Sequence, residues 1–137
     1  MTRSRLPREV NQLLESGLDS IEKIEALRYL RRAGAAVTRT ELMRTLRLER
    51  EATSALVREL AGAGLVELTG QAGHLRLGAA GTSAAHDELM RIYDEDRLVI
   101  VTALSALAMD RIRTMAARAF GEALVSLKKP SKDNGEP

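Results

Sequence analysis

Between Thr38 and Leu77 the hydrophobic period switches from that of a helix to that of a strand, with Gly62 and Gly64 at the switch. Thr38-Arg39-Thr40-Glu41 has the form of a capping box, Thr at the cap and Glu three residues later, and it predicts a short helix through Leu42, Met43 and Leu46. Leu48 closes the turn that follows. A second helix is predicted from Glu49 or Arg50 to about Ala61, with Thr53, Leu56, Val57 and Leu60 spaced to face inward. Past the glycines, Leu65 to Leu68 reads as a strand, Gly70 to Gly73 as a turn, and His74 to Leu77 alternates like a returning strand. Two helices and a small hairpin are therefore confined to 40 residues.

The segments on either side are helical in pattern. Leu6-Pro7-Arg8 opens a helix with Pro7 in its first turn, Val10, Leu13 and Leu14 on one face and Gly17 as its stop. Asp19, with Glu22 three residues on, predicts the cap of a longer helix, in which Leu18, Ile21, Ile24, Leu27 and Leu30 form the apolar stripe. Glu22, Lys23, Glu25, Arg28, Arg31 and Arg32 are expected to face water, and Gly34 to end the helix. Tyr29, Tyr93 and Phe120 are the only aromatic residues, so the core must come from aliphatic side chains, which favours helix packing over a sheet sandwich.

The predicted fold is mainly α, a winged helix-turn-helix with a hairpin wing and C-terminal helices. Residues 1–18 form the N-terminal helix, 19–77 the winged domain, 78–83 a glycine-rich linker, 84–128 a helical dimerisation region and 129–137 a disordered tail. Helix resumes through Leu89, Met90, Ile92 and Tyr93, and a second begins at Asp94-Glu95-Asp96, where Leu98 to Leu107 are too apolar to be bare. A final helix is expected from about Asp110, with Leu127 at the end of its stripe. Leu98, Val101, Leu104, Ile112, Met115, Phe120 and Leu124 are the residues expected to join two copies in a homodimer.

Charge placement says more than the formal net charge of +2. Residues 1–50 carry eleven Arg and Lys against seven Asp and Glu, residues 78–110 two against six, and residues 111–137 six against three. A basic N-terminal third suits a polyanionic partner. Other chemistry finds few candidates. With no cysteine the chain has no disulfide, thiolate metal site or thiol nucleophile. His74 and His86 lack zinc-ligand spacing and read as surface residues, and two histidines nominate no Ser-His-Asp arrangement. Asp87, Glu88, Asp94, Glu95 and Asp96 lack calcium-loop spacing and read as helix-opening carboxylates. Gly70 to Gly81 lacks the Gly-Lys-Ser/Thr ending of a phosphate loop. The uncharged run Leu98 to Met109 is short of the about 20 residues that span a bilayer, and no signal peptide is visible. No enzyme, cofactor, metal or membrane role is expected, and a cytoplasmic location is.

Thr38 to Leu48, Glu49 to Leu60 and the junction Ala63-Gly64-Leu65-Val66 together resemble the helix-turn-helix and wing of bacterial regulators of the multiple-antibiotic-resistance and arsenic-repressor kind. The resemblance implies that the third helix enters the major groove of double-stranded DNA and that the wing touches the neighbouring backbone. It places Arg50, Glu51, Ser54, Ala55 and Arg58 on the groove face, Thr38, Arg39, Arg44 and Arg47 around the turn, and His74 and Arg76 on the wing. The arginines suit this role because guanidinium neutralises phosphate and can bind guanine through two hydrogen bonds. Glu49 stands where the family has Ser or Thr, Glu51 brings negative charge toward the groove, and Ala55 replaces a common base-contact residue. Weak, poorly selective DNA binding is the expectation. The alternative is a winged-helix adaptor that binds another protein and not DNA.

Overall fold

The computed structural model describes residues 6–70 and 73–128, with side chains to Val125. The expected disordered tail, Leu127 of the C-terminal stripe, and Gln71 and Ala72 of the hairpin turn lie outside the described residues or side chains. The elements run α1 (Arg8–Ser16), α2 (Ile21–Ala33), β1 (Val37–Thr38), α3 (Arg39–Leu46), α4 (Arg50–Gly62), β2 (Val66–Leu68), β3 (His74–Leu77), a 3₁₀ turn (Ala79–Thr82), α5 (Ala84–Glu95) and α6 (Arg97–Lys128). The chain divides into two compact units, Met1–Leu104 and Ser105–Pro137.

In the first unit Leu14, Leu18, Ile24, Leu27, Leu30, Leu42, Leu60, Leu75 and Leu89 are fully buried, with Tyr93 the one aromatic among them. The sheet is three-stranded and antiparallel in the order β1-β3-β2, so the hairpin has a third member that two residues were too few to reveal by alternation. Val37 lies opposite Leu75 and Thr38 opposite His74, while Glu67 pairs with Arg76 on the outer face.

Several expectations are corrected. Ser20, not Asp19, caps α2: its Oγ accepts the Lys23 backbone N–H at 3.2 Å. Asp19 instead takes the Lys23 ammonium at 2.8 Å, as does Glu59 from α4. Partial burial opposes the Lys23 charge, but these two carboxylates outweigh it and raise its pKa. Glu25, Arg28 and Arg31 are half-buried, because α5 covers that face of α2. Tyr93 donates to the Glu25 carboxylate under the Arg97 guanidinium, 4.4 Å from the ring centre, while Arg28 Nε reaches Asp94 at 2.8 Å. Burial, then the Glu25 carboxylate, push the phenol up to about 12. His86 is buried at 3% exposure rather than on the surface, since it sits on the inner side of the first turn of α5.

The expected break at Asp110 is absent. A single helix runs from Arg97 to Lys128, since that stretch holds no proline and its only glycine is Gly121, and Asp110 supports the helix by accepting from Arg113 three residues on at 2.8 Å. The break falls at Asp96, whose N–H closes α5 on the Ile92 carbonyl at 2.7 Å.

Residues 78–83, read as a linker, include the 3₁₀ turn and two buried glycines. Gly78 donates to the Leu65 carbonyl at 2.8 Å, and a Cβ there would lie 2.4 Å from the Gly64 carbonyl oxygen. At Gly81 a Cβ would meet Leu77, Leu65 and Leu27 at 3.0–3.2 Å. Glycine is required here by close approach, not by flexibility. Gly78→Ala should therefore destabilise by about 2–3 kcal/mol as overpacking against backbone. Gly62→Ala, where a Cβ meets nothing within 4 Å, should be neutral or stabilising by up to about 1 kcal/mol, both variants being compared with the wild type by urea titration.

Candidate nucleic-acid interface

The first turn of α3 is held by the reciprocal cap read from the sequence: Thr38 Oγ1 accepts the Glu41 N–H at 3.0 Å and Glu41 Oε1 accepts the Thr38 N–H at 2.7 Å. Because Thr38 also ends β1, the cap places the start of α3 on the sheet, and the Arg39 N–H donates to the Gly73 carbonyl of the wing turn at 2.8 Å. The α3–α4 turn is made by Arg47 in the left-handed region, φ 59°, and Leu48 donates back to the Met43 carbonyl at 3.1 Å. Glu49 precedes α4 without a side-chain cap, its backbone carbonyl accepting from Thr53 at 2.9 Å.

α4 buries Thr53, Leu56, Val57 and Leu60, so its other side carries Arg50, Ser54 and Arg58 at successive i, i+4 positions in one stripe, with Glu51 and Ala55 beside them. Arg44, Arg47, Arg50 and Arg58 are exposed, as is Glu51. The remaining predicted contacts are differently placed. Arg39 is half-buried and aims Nη1 at Ser54 Oγ, 3.4 Å away, so these two face each other across α3 and α4. On the wing, Arg76 is exposed but bridges to Glu67 on β2 at 3.1 Å, and His74 is half-buried on the strand that joins β1. The Glu67 partner was missed, although its place in the hairpin register marks it as the residue opposite Arg76. Glu59, near the end of α4, is occupied by Lys23. The exposed charge of the helix-turn-helix is thus four arginines set among the carboxylates Glu41, Glu49 and Glu51, with Glu59 taken by Lys23, while the charged pair of the hairpin cancels.

Of the residues predicted to join two copies, Leu98, Ile112, Met115 and Phe120 are 63–70% exposed and Leu124 43%, whereas Leu104 is buried in the first unit. Met109 and Val125, both well exposed, extend the apolar surface of α6. Among the described residues no group of three or more His, Asp or Glu is placed to hold a metal ion. No described helix is long and apolar enough to cross a membrane.

Two helices joined by a tight turn, with a three-stranded sheet whose hairpin flanks the second helix, define a winged helix-turn-helix domain. Residues 16–77, just under half the chain, match the MarR family, and the protein is MarR-like in its winged helix. Among solved structures, MepR, a transcription regulator of the Staphylococcus aureus multidrug efflux pump MepA, is similar at a TM-score of 0.52 and 19% identity, over 85% of this chain and 88% of that one. A structure of S. aureus MepR in a DNA-binding conformation gives the same values. A single-residue mutant of S. aureus MepR bound to an oligodeoxyribonucleotide has a TM-score of 0.51 and 20% identity, again over 85% and 88% of the two chains. No curated protein matches the sequence.

The positive φ of Arg47 is unusual for a residue with a Cβ and stores strain at the turn. Arg47→Gly should relieve it and raise stability by about 0.5–1 kcal/mol, measured as a higher midpoint of urea unfolding.

Proposed function

We propose that this protein is a DNA-binding transcriptional regulator, without catalytic activity, that acts as a homodimer in the cytoplasm. The observation that carries this reading is the exposed set Arg44, Arg47, Arg50 and Arg58, gathered by α3, its turn and the outer stripe of α4. MepR, whose fold this chain shares, has been seen with an oligodeoxyribonucleotide, which supports the same use of the helix-turn-helix here. In this reading α4 lies in the major groove, Arg50 and Arg58 meet base edges or phosphates, and Arg44 and Arg47 meet phosphates. Arg39 holds Ser54 at the seam of α3 and α4 and so positions the reading helix, while His74 and Arg76 border the backbone from the wing.

The same geometry predicts modest affinity. Glu51 stands exposed in the first turn of α4, where its carboxylate favours the helix dipole and repels phosphate. Arg76, tied to Glu67, brings little net charge to the wing. We infer a dissociation constant nearer about 1 µM than 1 nM at physiological salt, with weak selectivity. Fluorescence anisotropy with duplex oligonucleotides tests this. With about four phosphates neutralised per protomer, and so about eight per dimer, affinity should fall on the order of ten-thousandfold between 50 and 200 mM salt. Arg50→Ala or Arg58→Ala should each weaken binding by about fivefold, and Glu51→Gln should tighten it by about threefold. Salt-independent binding, or no response to these substitutions, would remove α4 from the interface.

Self-association is assigned to α6. An exposed run of Met109, Ile112, Met115, Phe120 and Leu124 on one helix is a larger apolar surface than a lone soluble chain ordinarily leaves in water, and a second copy supplies a matching one. Light scattering should give twice the monomer mass at micromolar concentration, and Ile112→Glu with Met115→Glu should return it to the monomer value. A wild-type monomer at high micromolar concentration would end this assignment.

A further inference from the structure

The buried imidazole of His86 has no role in the proposed DNA interface, and its surroundings suit one protonation state only. It is the third residue of α5, and Ser83, the cap of that helix, holds it. Ser83 Oγ accepts the His86 backbone N–H at 3.3 Å and lies 2.7 Å from Nδ1, a distance that serves either neutral tautomer of the ring, with the hydroxyl donating to Nδ1 or accepting from it. Nε2 is buried with no hydrogen-bond partner among the described residues. Whichever nitrogen takes the second proton, the result is a buried cation whose Nε2–H has no acceptor among the described residues.

The charges around it make this worse. From α2, the Arg31 guanidinium donates to the Gly81 carbonyl at 2.9 Å and to the Asp87 carboxylate, tying the 3₁₀ turn and α5 to α2 beside the ring. The 3₁₀ turn, Ala79 to Thr82, has no titratable side chain, and α1, which packs along α5, contributes the apolar Val10 and Leu14 as its buried residues. Asp87, on His86's own helix, is the one facing carboxylate, and Arg31 already engages it. The positive end of the α5 dipole adds to the repulsion. Burial, then Arg31, lower the His86 pKa from its ordinary 6.5, with Asp87 opposing them.

We propose that His86 is a proton-sensitive latch: neutral, it closes the joint where the 3₁₀ turn and the first turn of α5 dock on α2, and protonated, it opens that joint. The joint matters because the turn rests on the base of the wing, with Gly78 bonded to Leu65. A depressed pKa in the folded state means that the unfolded chain binds the proton first. Stability is then complete above pH 6.5, and is lost as pH falls from 6.5 through the folded value, by at most about tenfold in the folding constant per pH unit.

The experiment uses the whole chain and needs no DNA, so it is independent of the proposed function. NMR titration of the two histidines follows the His86 ring, and hydrogen exchange at pH 7.0 and 5.5, corrected for intrinsic rates, compares residues 79–90 with α4. The latch requires His86 to protonate below 6.5 and protection of residues 79–90 to fall several-fold more than that of α4. In urea titrations at the same two pH values, His86→Gln should lose less stability on acidification than wild type. A His86 pKa at or above 6.5, uniform loss of protection, or equal acid sensitivity in wild type and His86→Gln would each overturn it. If His86→Gln does not fold, the two wild-type measurements decide.

Discussion

The reciprocal bond between Thr38 and Glu41 is the joint on which the candidate interface depends. Thr38 belongs at once to the end of β1 and to the cap of α3, so its backbone is extended for the sheet while its side chain closes a helix. Without that cap the first N–H groups of α3 would lack partners, and the neighbouring Arg39 N–H would not be aimed at the Gly73 carbonyl of the wing turn. Helix-turn-helix and wing are thereby one construction. The position of α4 follows, since α3 and α4 share the buried residues Leu42, Leu56 and Val57 and the turn at Arg47 leaves little freedom between them.

Electrostatics divide the first unit into two kinds of surface. On the helix-turn-helix, arginines stand exposed, whereas on the α2–α5 side they are consumed internally: Arg28 by Asp94, Arg31 by Asp87 and the Gly81 carbonyl, and Arg97 by the Tyr93 ring. Arg28 and Arg31 are half-buried and their partners are long-range, so these contacts tie α2 to α5 in a way that a local pair such as Arg91 with Glu88 does not. Asp87 and Asp94, from the acidic stretch after the wing, thus complement a basic α2 face. Arg44, Arg47, Arg50 and Arg58 of the helix-turn-helix stand outward instead.

Legibility followed the range of the interactions. The cap of α3, the turn near Leu48, the inward face of α4 and the β2–β3 hairpin rest on contacts within a few residues, and the sequence displays them directly. β1 was hidden because a two-residue strand has no period, and it exists only through pairing with β3. Asp19 is the cap that residue type suggests, whereas Ser20 holds that place, with Asp19 drawn to Lys23 together with Glu59 of α4. Residues 78–83 looked like a linker because glycine serves both freedom and close contact, and nothing local separates the two. At the candidate interface, residue type did not reveal that Arg39 would meet Ser54, nor that Arg76 would meet Glu67.

By itself the sequence determined the order of helices and hairpin as far as α5, the aliphatic character of the core and the basic stripe of α4, because periodicity, capping and glycine placement act over a turn or two of chain. Only the tertiary structure decided which charges remain outward and which are spent, that Gly78 and Gly81 lie against the base of the wing, and that His86 is buried beside Arg31. Those facts depend on partners about 5 to 70 residues away, and a side chain's type does not say what will be brought to it.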